Sequence, residues 1–174
     1  LFSSPRINEI LEEIRPHVFT LLYRIIFILY AEDRGIFPVE DQDPTYKKEF
    51  SLKWIKEEWI LKPDNIKKLA EYQVQKRLKD LFKLIELGSG AFNYPKFSMR
   101  SYYGRLFDRD HNSKLESWNI SNSHLIKTLE LLTTTRDRKN SYFLDYAALE
   151  TRHLGSIYEH LLEYHLHVKN KKIV

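Results

Sequence analysis

Side chains with acid–base or metal-binding chemistry are scattered along this sequence of 174 residues. His160, His165 and His167 lie close together, but only His153 and His160 share a helical face. A protein metal site needs three or four convergent ligands. We therefore interpret the histidines as surface or interface residues and predict no metal site.

The sequence motifs of common catalytic sites are also missing. There is no glycine-rich phosphate loop, no Gly-x-Ser-x-Gly elbow and no His-Glu-x-x-His pair. Cysteine is absent, which excludes disulfides and thiolate ligands and fits a reducing cytoplasm. We therefore expect no catalytic residue and a cytoplasmic protein.

Charged residues interrupt and then end one apolar run, "LLYRIIFILYAEDRGIFP" (Leu21–Pro38). An unpaired buried charge is very costly, so we expect Arg24 to be paired inside a helical bundle. Glu32 and Asp33 precede a predicted helix end, where the macrodipole disfavours negative charge and favours Arg34. Either this turn is solvated, or its acids accept hydrogen bonds from a neighbouring segment or domain.

Basic residues give the chain a net charge of +4 and a pI near 9.1, which is weak support for a polyanionic partner. The candidates for contact with the DNA backbone are Lys68, Lys76, Lys79 and Lys83 on one helix, and Arg136, Arg138 and Lys139 in a basic turn. A run of charge is usually only a solvated face.

The elements that position these residues are predicted to be helical, because glycine is rare and the turn signals are far apart. A first helix begins at Ser3–Pro5, is kinked or split at Pro16 and stops at Gly35. Its apolar part, 18–31, covers about 14 residues against the roughly 20 that a bilayer requires, and it contains Arg24, so we expect no membrane span.

Two more helices follow, and then a long loop. A short helix is expected near Leu52–Leu61. A long amphipathic helix from about Asn65 to Leu87 is capped by Asp64 and closed by Gly88. Gly88–Trp118 is irregular and rich in aromatic residues, and a loop of that length usually binds or wraps something.

The last third is expected to contain a helix at Leu125–Leu132, a short extended piece in "YFLDY" and a final helix. The final helix, capped by Thr151, runs to Tyr164 with five apolar residues as its core face: Leu154, Ile157, Tyr158, Leu161 and Leu162. Residues 165–174 look like the start of a following domain. We predict an all-α, irregular multi-helix bundle with at most a short β element.

Three stretches, in order and spacing, resemble one family. Leu21–Pro38 is similar to the segment before the methyltransferase domain of type IIG restriction–modification enzymes and related large adenine methyltransferases of phage defence. "YYGRLFD" (Tyr102–Asp108) resembles their Tyr-x-Gly-x-Leu-Phe element. "LDYAALETRHLGSIYEHLLEY" (Leu144–Tyr164) resembles their Asp-Tyr…Leu-Gly-x-Ile-Tyr-Glu-x-Leu-Leu-Glu passage.

The resemblance implies a longer parent protein with an S-adenosylmethionine-dependent methyltransferase, and Mg²⁺ if an endonuclease domain is present. This chain lacks the family's Asn-Pro-Pro-Tyr and metal-nuclease motifs, so no catalytic residue and no cofactor are assigned to it. It looks like the helical connector alone. Its partners would be the adjacent methyltransferase domain and, through the parent, double-stranded DNA.

The residues expected at contacts between domains come from all three stretches: Glu32, Asp33, Arg34, Tyr103, Gly104, Phe107, Gly155, Tyr158 and Glu159. Gly155 has no helix-propensity reason for its place, so we expect close packing there. The alternative is a protein-interaction module whose aromatic loop docks a partner subunit.

Overall fold

The computed structural model describes residues 5–92, 97–102, 104–136, 141–165, 168–169 and 172–173. Its α-helices are α1 Pro5–Asp33, α2 Thr45–Glu49, α3 Leu52–Ile55, α4 Pro63–Ile66, α5 Gln73–Leu87, α6 Ser113–Ser117, α7 Asn122–Thr133 and α8 Thr151–Glu163. Two antiparallel hairpins are formed by β1 Thr134–Arg136 with β2 Ser141–Phe143, and by β3 Val168–Lys169 with β4 Lys172–Ile173. The prediction of a mainly α fold is confirmed.

Helix α1 is the central element of the core. Ile25, Ile28 and Ala31 have no exposed surface. Within the described part of the chain it is the one helix long and apolar enough to cross a membrane, with a mean hydropathy of 1.3 over its most apolar window. Its buried apolar side chains belong to the hydrophobic core of the described residues.

The predicted split at Pro16 is wrong, because α1 continues through it as one helix. A proline removes one N–H from the helix, and the packing of a long amphipathic helix outweighs that loss. The stop at Gly35 is confirmed: its φ is +66°, and Ile36 N–H donates to the Ala31 carbonyl at 2.8 Å.

The predicted helix at 52–61 is confirmed in extent but not in type. Its first turn is α3, and Lys56–Ile60 continues it as a π-helix. Ser51 caps its start, since Ser51 Oγ accepts from the N–H groups of Lys53 and Trp54. Part of the loop predicted before it is the short helix α2.

The single helix predicted at 65–87 is wrong. Helix α4 ends at Ile66, α5 begins at Gln73, and Tyr72 between them has a φ of +56°. The side chain of Asn122 on α7 explains the break, because its Oδ1 accepts from Val74 N–H and its Nδ2 donates to the Ala70 carbonyl. A tertiary contact therefore caps α5.

The segment 88–118 is irregular at first, as predicted, but it turns inward. Phe97, Met99 and Phe107 are buried in the core. Gly88, with a φ of +77°, starts the loop, and Ser89 N–H donates to the Met99 carbonyl at 3.0 Å. The segment also contains α6, which was not predicted.

The C-terminal third follows the prediction in outline. The extended piece in "YFLDY" is β2, paired with β1. Glu150, not Thr151, caps α8, in a reciprocal capping box with His153. Of the predicted core face of α8, only Leu154 is buried, whereas Tyr158 and Leu162 are 42% and 50% exposed.

Candidate functional site

Arg24 joins the first two of the resembling stretches inside the core. Its side chain is fully buried. Its Nε donates to the Leu106 carbonyl at 2.6 Å, and its Nη1 donates to Glu116 Oε1 at 2.7 Å. The guanidinium also lies over the rings of Phe82 and Phe107, 4.9 Å and 5.7 Å from their centroids. The prediction that Arg24 is paired inside the bundle is confirmed.

Glu32 is a buried acceptor, so the interpretation of a solvated turn is wrong for this residue. It accepts bonds of 2.9 to 3.0 Å from the hydroxyls of Tyr46 and Ser51 and from the N–H groups of Leu52 and Lys53. Burial raises the pKa of the Glu32 carboxyl above its ordinary value, although these four donors act in the opposite direction. The carboxyl therefore fixes the start of α3 against the end of α1.

Asp33 and Arg34 connect the same helix end to the third resembling stretch. Asp33 Oδ2 accepts from Tyr146 N–H at 3.0 Å, and Arg34 Nη2 donates to the Leu149 carbonyl at 2.7 Å. The sequence predicted that the acids of this turn could accept hydrogen bonds from a neighbouring segment. Two segments of the same chain provide such donors: the start of α3 for Glu32 and the residues before α8 for Asp33.

The expected contact residues of the second stretch divide between core and surface. Phe107 is buried against Arg24 and Phe82. Gly104 is exposed, and a side chain there would meet nothing within 4 Å. Tyr103 lies outside the described residues.

Helix α8 presents an outward face that contains the expected contact residues Gly155, Tyr158 and Glu159 together with Leu162. All four are exposed. The close packing expected at Gly155 is not made by the described residues, because a Cβ added there would meet none of their atoms within 4 Å. The face is thus left open by the described part of the chain, and half of it is apolar.

The four lysines expected to contact DNA do not form one free stripe. Lys68 lies outside α5 and is exposed. Lys76 pairs with Asp80 at 2.7 Å. Lys79 Nζ donates to the Glu116 carbonyl at 2.6 Å, and Lys83 Nζ lies over the Phe92 ring at 5.1 Å. Three of the four therefore have partners in the fold.

Of the three residues of the basic turn, Arg136 lies within the described part of the chain. Arg136 ends β1, and its backbone pairs with Ser141. Arg138 and Lys139 lie outside the described residues, as does His167 from the histidine group.

Residues 5–92, 97–102, 104–136 and 141–165 contain no group of three or more histidines and acids able to hold a metal ion. Their interior cavity beside Arg24 measures about 20 Å³, enough for one water molecule. The larger openings lie at the surface.

One surface feature was not anticipated from the sequence. Tyr23, Arg105 and Tyr158, one residue from each resembling stretch, line a groove of about 320 Å³. They are 53 or more positions apart along the chain, so their spacing does not indicate the groove. Only the fold of α1, α8 and the loop before α6 brings them together.

Comparison of the chain with protein-family models, with curated proteins and with solved structures returns no match.

Proposed function

We propose that this chain is a non-catalytic helical connector that positions an S-adenosylmethionine-dependent adenine methyltransferase in a type IIG-like restriction–modification or phage-defence protein. One observation supports the proposal most: the three stretches that carry the resemblance pack against one another. Arg24 bonds the Leu106 carbonyl of the second stretch, and Asp33 bonds the Tyr146 N–H of the third. Residues that serve one mechanical unit are expected to meet in this way.

The mechanism is the fixing of a distance. Charged side chains of α1 and of the turn after it bond to α3, to α6 and to the segment just before α8, and these bonds restrict how α1 can shift or rotate against them. Leu162, at 50% exposure on the open face of α8, is the residue around which we place the methyltransferase domain, whereas Tyr158 on that face packs against Tyr23 of α1 and is left outside the contact. The apolar share of that face provides the burial that a stable contact between domains requires.

Substitution on this face tests the proposal. In the full-length protein, Leu162→Asp should lower DNA methylation at least tenfold, since a charge would have to be buried at the domain contact. The melting temperature of the chain alone should not change. The matched control is Leu131→Asp on α7, which is 66% exposed and lies away from this face. Equal methylation by the two variants would contradict the proposed contact.

The non-catalytic role has its own test. Calorimetric titration of the purified chain with S-adenosylmethionine should give no binding heat, and a methyl-transfer assay on duplex DNA should give no product. Micromolar affinity for the cofactor, or methyl transfer by the chain alone, would overturn the connector proposal.

Contact with the DNA backbone is a secondary part of the proposal. Lys68 is exposed, and the salt bridge of Lys76 is on the surface, where such pairs are weak. Binding to random duplex DNA should therefore be weak and should fall steeply with salt. Lys68→Glu with Lys76→Glu should abolish it, and unchanged affinity would remove these lysines from the contact.

The alternative, a module that docks a partner subunit through its aromatic loop, has less support. The rings of Phe97 and Phe107 are buried, and Tyr102 packs against Phe37 with ring centroids 5.5 Å apart. The aromatic rings of the loop that the structure describes are thus used for internal packing. A cytoplasmic location follows from the proposed role and remains part of the proposal.

A further inference from the structure

The groove between α1, α8 and the loop before α6 has an aromatic side and a cationic side. Its volume of about 320 Å³ is within the roughly 300–1,000 Å³ of small-molecule sites. Tyr23 and Tyr158 form the aromatic side, while Arg105, with His111 beside it, forms the cationic side.

The aromatic side is a pair of tyrosines in contact. The ring centroids of Tyr23 and Tyr158 are 4.8 Å apart, with an angle of 50° between the planes. Tyr23 is half-buried and supports the ring of Tyr158, which is 42% exposed. Burial, and secondarily the neighbouring Tyr158, raises the pKa of the Tyr23 phenol. The Tyr23 phenol therefore stays neutral near pH 7 and does not repel an anion.

The cationic side is held in place by its backbone. Asn112 Nδ2 donates to the carbonyls of Arg105 and Asp108, at 2.8 Å and 2.7 Å. The Leu106 carbonyl next to Arg105 accepts from the buried Arg24. A loop tied at both ends loses little conformational entropy when a ligand binds.

The Arg105 guanidinium and the His111 imidazole are available to a ligand. Arg105 and His111 are exposed, and their side chains form no hydrogen bond or ion pair with the rest of the described chain. Two acids lie in the same loop: Asp108, whose Oδ1 accepts from the His111 backbone N–H at 2.9 Å, and the exposed Asp110. An anion in the groove would therefore meet a guanidinium whose donors are not already used.

We propose that this groove binds one nucleotide unit, with the base against the Tyr158 ring and the phosphate at Arg105 and His111. A guanidinium fork matches a phosphate, and every base offers a flat face to an aromatic ring. This site goes beyond the connector role and does not depend on it. The unit is either a free mononucleotide or part of a single strand, and the experiment separates these two sources.

The test uses fluorescence anisotropy of a 5′-labelled oligothymidylate with the whole chain. Tyr158→Ala and Arg105→Gln should each weaken binding about tenfold, the usual loss for one stacking or one phosphate contact. Tyr158→Phe should retain the affinity, because the stacking face remains. The wild-type chain should bind a strand with abasic sites less tightly than it binds the oligothymidylate. The Tyr158→Ala variant should bind the two strands equally well, because it has no ring on which a base can stack.

Two controls locate the effect. Tyr164→Ala removes a tyrosine that is 66% exposed at the end of α8. Arg6→Gln removes an exposed arginine about 21 Å before Thr20 along α1. Both should bind as the wild type does. If they weaken binding as much as the groove variants, or if the abasic strand binds equally well, the groove is not the site.

Competition with thymidine 5′-monophosphate identifies the source of the nucleotide. Displacement of the strand at matched nucleotide concentration indicates a site for free nucleotides, whereas resistance to millimolar mononucleotide indicates a site for single strands. An oligothymidylate that does not bind at low salt, with a mononucleotide that gives no calorimetric signal, would overturn the groove proposal. That result would leave the connector role untouched, because the connector role is tested separately by the DNA methylation activity of the Leu162→Asp variant.

Discussion

Two buried charges on one helix define this fold at the scale of single residues. Arg24 and Glu32 both lie on α1, with 0% and 6% of their surface exposed. Each ionic group must find partners in the core, so each admits only a few positions of α1 relative to its neighbours. We infer that these two residues select the register of α1 in the bundle, in addition to any stability they contribute.

Removal of the partner of Arg24 should be costly. Glu116→Ala would leave the buried guanidinium without its carboxylate, and we expect a loss of about 2–3 kcal/mol in the free energy of unfolding, since a broken buried ion pair leaves an uncompensated charge. Urea denaturation followed by circular dichroism measures the loss. The matched control is Lys62→Ala, which breaks an exposed pair with Glu58 and should cost about 0.5 kcal/mol or less. Equal losses would show that the Arg24 pair is not special.

The pH dependence of stability should reveal Glu32. Because burial raises its pKa in the folded state above the ordinary 4.5, the folded state binds the proton more tightly than the unfolded state. The contribution of the protonated group is fully present below about pH 4.5 and is lost as the pH rises through the raised pKa. The stability advantage of wild type over Glu32→Gln should therefore decrease as the pH rises from 4.5.

Glu40, an exposed acid, is a control whose effect on stability should change with pH in the opposite direction. The hydrogen bond from Lys53 lowers the pKa of the Glu40 carboxyl in the folded state. The small contribution of ionised Glu40 to folding stability is therefore present above the ordinary pKa and is lost as the pH falls through the lowered pKa. Melting temperatures of the wild type, Glu32→Gln and Glu40→Gln between pH 4 and 8 measure both. If the advantage over Glu32→Gln grows with pH, the four hydrogen bonds dominate over burial.

At the scale of elements, two glycines play opposite parts. Gly88 ends α5 with a φ of +77°, and an added Cβ would lie 2.9 Å from the Met99 carbonyl oxygen. Gly155 lies inside α8 with open space around it. The first glycine is required by its backbone conformation and by a close approach of the loop, whereas the second lowers helix propensity without any packing benefit in this chain.

Alanine at the two positions should move stability in opposite directions. Gly155→Ala should raise the free energy of unfolding by about 0.5–1 kcal/mol, the difference in helix propensity. Gly88→Ala should lower it by more than about 1 kcal/mol, because both the φ and the contact oppose a side chain. Chemical denaturation of the two variants measures this. A destabilised Gly155→Ala would mean that α8 is packed more closely than its surroundings indicate.

The sequence predicts elements well where a local signal is sufficient. The stop at Gly35 and the pairing of Arg24 follow from helix-end chemistry and from the cost of a lone buried charge. The break before α5 could not be predicted, because Asn122, 48 positions after Val74, supplies the cap. At Pro16 the local signal predicts a split that α1 does not have, since local propensity ignores how much apolar surface a long helix buries.

The candidate site shows the same division. Glu32 was expected to accept hydrogen bonds or to be solvated, and only the fold, which places the start of α3 beside it, decides between the two. The groove between Tyr23, Arg105 and Tyr158 is a product of tertiary structure alone. Residue types suggest which side chains can bind, but the packing of α8 on α1 determines which of them meet.

At the scale of the whole molecule, α1 holds together segments from distant parts of the chain. It packs against α3, α6 and α8. Hydrogen bonds at the C-terminal end of α1 join Glu32 to the Leu52 N–H at the start of α3, and Arg34 to the Leu149 carbonyl just before α8. A spacer transmits position only if such links make it a single body. The proposed function therefore requires that α8 does not separate from α1 before the rest unfolds.

Thermal unfolding should consequently be one transition. Far-UV circular dichroism reports all the helices, including α8, while tryptophan fluorescence reports Trp54 and Trp59 near α5 and Trp118 beside His17. The two melting curves should coincide, as they do for a two-state domain. Asp33→Ala, which removes the acceptor of Tyr146 N–H, should shift both curves downward together. An early dichroism transition without a change in fluorescence would mean that α8 detaches alone, and a helix that detaches cannot hold a methyltransferase at a fixed distance.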